Sequence, residues 1–319
     1  MKMRKQLYII AWLLMIPLAV SAQQELDRYL MIAAENNPGL RAKFNLFLAA
    51  LEKAPQAGTL PDPQLAFGYF ISPVETRVGP QQIRISASQM FPWFGTLEAR
   101  ENVAIQSAKA KHEVFLESKS KLFNEVRSTY YNLYFNRRAI QITRENLCIL
   151  SSFKELANIK VESGKVSAVD EYRIDMEIAD LENQLALLLD NQDVLELIFI
   201  NLLNADKDLD IVLPEVLWTE DMNLSKEQVL DSLKRNNHQL LSISLQTQAL
   251  DFRKELAKKT GKPGFSVGID YIMVGRGENN LAGSDAVLFP KIGMTIPLYR
   301  NKYKAMVNEV MYLKEAKVA

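Results

Sequence analysis

One cysteine, two histidines and no excess of charge of either sign set the first limits on this 319-residue chain. Cys148 has no second cysteine to bridge, so an intramolecular disulfide is excluded in any redox compartment. It stands among Ile142, Leu147, Ile149 and Leu150 and reads as a small buried hydrophobe. His112 stands among Lys109, Lys111 and Glu113 and reads as a surface residue. Neither it nor His238 falls in a Cys, His or carboxylate spacing that suits a zinc ion. The 38 basic and 38 acidic side chains cancel, the pI is near 6.8, and no basic stripe is interleaved with aromatics. The electrostatic footprint of a nucleic-acid binder is therefore missing. GKPG from Gly261 and GRGENN from Gly275 lack the remaining positions of a phosphate loop or dinucleotide fingerprint. Acidic pairs such as Glu177 and Asp180 carry no accompanying pocket signal. Neither an enzyme nor a cofactor is expected.

Long apolar runs are also scarce, and the one present is N-terminal. MKMRK gives a basic start, LYIIAWLLMIPLAV an apolar stretch, and Val20-Ser21-Ala22 a small-residue cleavage site before Gln23. The alternative is a single membrane anchor, but the run is shorter than the ~20 residues a span needs. Residues 1–22 are read as a cleaved export signal, and no cysteine follows Ala22 to carry a lipid. If the mature chain crosses a bilayer, strands must do it.

Shifting the sequence by two hundred positions exposes a duplication. Asn36-Asn37 meets Asn236-Asn237, Leu40 meets Leu240, Ala49 meets Ala249, Pro63 meets Pro263 and Gly68 meets Gly268. Pro92 pairs with Pro297 once five extra residues are allowed in GRGENNLAGSD. Each copy reads helix, Pro/Gly linker, strand, loop, strand, Pro-aromatic junction, helix. In LAFGYFIS the large residues Leu65, Phe67, Tyr69 and Ile71 alternate with mostly small ones, and in IRISASQM Ile83, Ile85 and Ala87 alternate with Arg84, Ser86 and Ser88. The second copy sets Phe265, Val267, Ile269, Tyr271 and Met273 against Ser266, Gly268 and Asp270. Its last strand sets Ile292, Met294 and Ile296 against Lys291, Gly293 and Thr295.

Such alternation fits any half-buried antiparallel sheet. Export, strand lengths near the ~9–11 residues of a tilted membrane strand, and a small or polar opposite face favour a barrel. Four strands cannot close one, because even eight leave room only for side chains. A membrane reading therefore requires the strands of several chains.

Proline and glycine are absent from Thr96 to about Val161, which predicts one helix spanning on the order of 100 Å. Leu97, Val103, Leu122, Val126, Tyr130, Leu133 and Ile142 give it a loose apolar stripe. VESGKVSAVD breaks it, with Gly164 suited to a left-handed end and Ser167 to an N-cap. A second helix runs to about Asn204, with Val169, Ile174, Ile178, Leu181, Leu185, Leu188, Leu195 and Leu202 near three-and-four spacing. Together they predict an antiparallel coiled-coil hairpin.

Through ENNPGL, AGTLPDPQL, SQMFPWFG with its echo GMTIPLYRNK, and the turn ESGKVSAVDEYRIDMEIADLENQL, the chain resembles the TolC-like outer-membrane efflux proteins, including their heavy-metal branch. The resemblance implies an α+β membrane protein in which long helical hairpins join transmembrane strands that form a barrel only in a homotrimer, four strands per chain. It implies a passive conduit that meets a periplasmic adaptor and an inner-membrane pump, carrying small molecules or metal ions across outer-membrane lipid. The segments then read as signal peptide, 1–22; first periplasmic helices, 23–62; first barrel hairpin, 63–92; and long helical hairpin, 93–204. An equatorial segment with the second entry helix follows at 205–262, a second barrel hairpin at 263–297, and the start of a second long helix at 298–319. The family's constriction and adaptor contact match Gly164, Lys165, Ser167, Val169 and Asp170, although Asp170 also suits a first helical turn for its dipole alone. Arg84, Ser86, Ser88, Asp270 and Lys291 face the lumen in this reading, and Pro92, Trp93, Phe94, Gly95 and Pro297 join barrel to tunnel. Only 22 residues follow Pro297, against more than a hundred between Pro92 and Asn204 in the first copy. The chain is thus expected to be a C-terminally truncated version whose barrel can form but whose tunnel is not sealed. The alternative from another class is a soluble periplasmic coiled-coil scaffold carrying small sheets.

Overall fold

The computed structural model describes residues 20–77, 79–163, 167–206, 208–217, 224–276 and 287–318. The proposed export signal up to residue 19, Gly164 and Lys165 at the hairpin turn, and most of the GRGENNLAGSD loop lie outside them. In chain order the elements are α1 (Val20–Asn36), α2 (Pro38–Leu51), α3 (Lys53–Gly58), β1 (Gln64–Thr76), β2 (Gly79–Phe91), α4 (Thr96–Glu162) and α5 (Ala168–Leu203). They continue as α6 (Lys226–Asn236), α7 (His238–Thr260), β3 (Gly264–Val274), β4 (Val287–Thr295) and α8 (Arg300–Val318). Among the described residues no helix is long and apolar enough to cross a membrane.

The duplication is visible in the hydrogen bonds. Asn37 breaks the first helical stretch before Pro38, and its side chain accepts from Leu40 N at 2.9 Å. Two hundred residues on, Asn237 accepts from Leu240 N at 3.0 Å. The backbone N–H of Asn37 donates to Ala33 and that of Asn237 to Leu233, so each asparagine ends one helix and caps the next.

Two compact units form. The first takes the chain up to Ala42 with Leu116–Leu230, the second Lys43–Phe115 with Asp231 onward. In the first unit, α4 and α5 shelter one face each. Leu122, Val126, Tyr130, Leu133, Asn136, Ile140, Thr143 and Ala157 are buried on α4, at steps of three and four until Thr143. On α5 Leu181, Leu185, Leu188, Leu195 and Leu202 are half-buried and Phe199 and Leu203 buried. This is the seam of an antiparallel pair. Asn136 sits inside it, donating to Leu188 O and Gln192 Oε1 and accepting from Asn191 Nδ2, each at 2.9 Å. A buried amide with its partners met on one register only disfavours sliding of the two helices.

The seam corrects several sequence readings. Cys148 is exposed, one residue past half-buried Leu147, and Ile142 and Ile149 lie off the seam and are exposed. Val169, at the start of α5, is exposed too. His112, in the second unit, is half-buried, its ring 4.9 Å from that of Phe47. The stripe of apolar residues on α4 is wider than one seam, so proximity to isoleucines was a poor guide to burial.

Near the base of the hairpin, Tyr29, Tyr130 and Phe199 pack as a ring cluster with centroids 5.1–6.0 Å apart. The Tyr29 hydroxyl accepts from Val212 N at 3.0 Å and the Tyr130 hydroxyl donates to Val212 O at 3.2 Å, anchoring the irregular segment after α5. Burial, with a smaller contribution from neighbouring Tyr29, pushes the Tyr130 phenol up to about 12 from an ordinary 10.0. The unfolded phenol gives up its proton near 10 while the folded one keeps its own, so this stabilisation is full below pH 10 and is lost as pH rises to about 12. Denaturant midpoints followed by far-ultraviolet circular dichroism should fall between pH 10 and 12, less steeply in Tyr130→Phe; equal slopes would contradict this.

Candidate functional site

The second unit holds a four-stranded antiparallel sheet in the order β1-β2-β3-β4. Its register aligns Leu65, Ala87, Ile269 and Pro290 in one row and Phe67, Ile85, Tyr271 and Leu288 in the next. The alternate rows are Ala66, Ser86, Asp270 and Phe289, and Gln64, Ser88, Gly268 and Lys291. Period two thus sorts one apolar and one largely polar face. The apolar face is bare: Leu65 is 79% exposed, Phe67 70% and Ile292 85%. β1 runs past the expected Ser72 to Thr76, with a register shift between Tyr69 and Val74 that spans Pro73. Pro73 and Pro290 both fall on the outer strands, where a missing N–H is tolerated.

On the polar face three charges converge. The Asp270 side chain is 1% exposed, with the Arg84 guanidinium on Oδ2 and Lys291 Nζ on Oδ1 at 2.7 Å. Ser86, its direct cross-strand neighbour, also hydrogen-bonds the carboxylate. Both cations reach it diagonally, Arg84 from the row on one side and Lys291 from the row on the other. Gly268 makes the Lys291 approach possible, since a Cβ there would lie 2.8 Å from Lys291 Cε and 2.9 Å from the Ala87 carbonyl oxygen. Its counterpart Gly68 has no such demand, the nearest atom being 3.8 Å away. Four of the five polar-face positions singled out in the sequence gather here, Arg84, Ser86, Asp270 and Lys291, with Ser88 one row along opposite Gly268.

The junction after β2 is built from the quoted motif. The Trp93 and Phe94 rings lie 6.1 and 6.5 Å from that of Phe265 at the start of β3. Gly95 adopts φ 72°, a left-handed turn that an added Cβ would strain. Its carbonyl accepts from Ala99 N at 3.0 Å and from Lys259 Nζ at 3.1 Å. Lys259 was not singled out in the sequence, where a lysine ending a helix is commonplace, and Phe265 reads there as a strand residue and not as a partner of the junction. Pro92 follows the last residue of β2, and Pro297 is half-buried in the stretch between β4 and α8.

At the hairpin end, Ser167 caps α5 by accepting from Val169 N at 3.2 Å. Asp170 lies in the first turn and pairs with Arg173 at 3.4 Å. Gly164 and Lys165 fall outside the described residues.

The family model of outer membrane efflux proteins matches residues 30–204, more than half of the chain. No curated protein sequence matches. Among solved structures, CusC, described in terms of folding and transmembrane channel formation, aligns at TM-score 0.73 and 15% identity, covering 92% of this chain and 71% of its own. The outer membrane protein VceC of Vibrio cholerae aligns at 0.71 and 15%, covering 93% and 74%. The open-state MtrE channel of Neisseria gonorrhoeae aligns at 0.68 and 13%, covering 92% and 68%.

Gly268→Ala should destabilise the sheet by roughly 1–3 kcal/mol, as overpacking does, while Gly68→Ala should stay within about 0.5 kcal/mol. Thermal unfolding followed at the β-sheet infrared band compares the two; equal losses would contradict the assigned role of Gly268.

Proposed function

The chain belongs to the outer membrane efflux protein family, and from that membership we propose that it is the outer-membrane conduit of an efflux system, passive and without enzymatic activity of its own. The carrying observation is the four-stranded sheet with a bare apolar face. In water that face would drive aggregation; against lipid it is the ordinary outer wall of a barrel. Three copies give twelve strands, the polar rows then line the lumen, and β1 of one copy meets β4 of the next.

The helical hairpin supports the same assembly. Phe135, Ile142, Ile149 and Leu156 are exposed on α4 at strict steps of seven, a second seam that a neighbouring copy can fill. In this reading Trp93, Phe94 and Gly95 turn the chain from lipid into the periplasm, with Pro92 and Pro297 ending the ladder on each side. The hairpin ends at Gly164, Lys165, Ser167, Val169 and Asp170 face a periplasmic adaptor, itself coupled to an inner-membrane pump. In this reading residues 1–22 are a cleaved export signal, the mature chain sits in the outer membrane with a periplasmic extension, and the cargo is a small molecule or a metal ion.

Labelling separates this from a soluble scaffold. In a Cys148→Ser background, Phe67→Cys and Ile292→Cys in intact outer membranes should react with a lipid-soluble maleimide and resist a charged one. Ser88→Cys should react with the charged reagent. Equal access of the charged reagent to all three would overturn the barrel reading.

A further inference from the structure

The polar face of the sheet carries more positive than negative charge. In the register-paired rows from Gln64–Ser88 to Tyr69–Ile83, its charged residues are Arg84, Asp270 and Lys291. Asp270 is enclosed, while the Arg84 side chain keeps 46% and the Lys291 side chain 35% of its surface open. One carboxylate thus offsets one of two cations, and the remainder faces outward from the sheet. Glu75 also lies in β1, but beyond the register shift and opposite Pro80 near the turn.

We infer that Arg84, Asp270 and Lys291 form a net-cationic selectivity ring in the barrel, one uncompensated positive charge per chain, that favours the passage of anionic solutes. The inference rests on the barrel reading above, because only closure by symmetry turns one cluster into a ring. Asp270 has two roles in it. It holds the two cations on neighbouring rows, and it sets the surplus at one charge rather than two. The field is local: three unit charges about 10 Å from an ion and attenuated over one Debye length change ion concentration by roughly twofold. The ring therefore biases passage and excludes nothing outright.

The test is the reversal potential of the full chain in a planar lipid bilayer under a potassium chloride gradient. Asp270→Asn carries two surplus charges per chain, the unaltered protein one, Lys291→Gln or Arg84→Gln none, and the double glutamine variant minus one. The chloride-to-potassium permeability ratio should fall in that order, by roughly fourfold per step, since each step moves the two ions about twofold in opposite directions, and Lys291→Arg should keep the original ratio. Arg84→Gln and Lys291→Gln make the same change of charge, so either stands in for the other if one fails to insert. Conducting variants with one common ratio would overturn the ring and leave the conduit standing. A chain that inserts and gives no conductance would overturn the conduit itself.

Discussion

An open β-sheet leaves a row of N–H and C=O groups along each outer strand, and in lipid each unmet group costs several kcal/mol. Among the described residues β1 and β4 each pair on one side only. The flanking face of large apolar side chains is equally unmet. One partner arrangement answers both demands: strand edges closed by further copies, with lipid against the apolar face. In the proposed barrel the polar rows, the glycines and the paired charges form the inner surface of the same wall.

The long helices answer a different demand. A helix satisfies its own backbone, so α4 needs no neighbour for its hydrogen bonds and can leave the sheet directly after the Gly95 turn. What it needs is cover for a wide apolar surface. α5 covers one seam, pinned in register by Asn136, and the heptad-spaced residues outside that seam are left exposed. Sheet and hairpin thus each present unfinished surface in the same chain.

Much of this was legible in the sequence. Period-two alternation sorted the strand faces because successive side chains of a strand point to opposite sides of the sheet. The uninterrupted run from Thr96 to Glu162 marked its helix because neither proline nor glycine breaks it. Asn37 and Asn237, two hundred positions apart, mark the repeat, and each makes the equivalent hydrogen bond in its own copy. Other features depend on which strands stand side by side. Arg84, Asp270 and Lys291 were each visible as residues of the polar face, but their convergence follows from diagonal pairing across three strands. The unequal demands on Gly68 and Gly268 arise from Lys291, which has no counterpart near the first glycine. Cys148 and His112 were misplaced because local composition does not say which face of a long helix is covered.

The central claim is that this chain closes its sheet with copies of itself. Native mass spectrometry of the protein extracted from outer membranes in a mild detergent tests it most directly. The account predicts a particle of three chains that requires detergent to stay in solution. A folded monomer, stable in water without detergent, would contradict it.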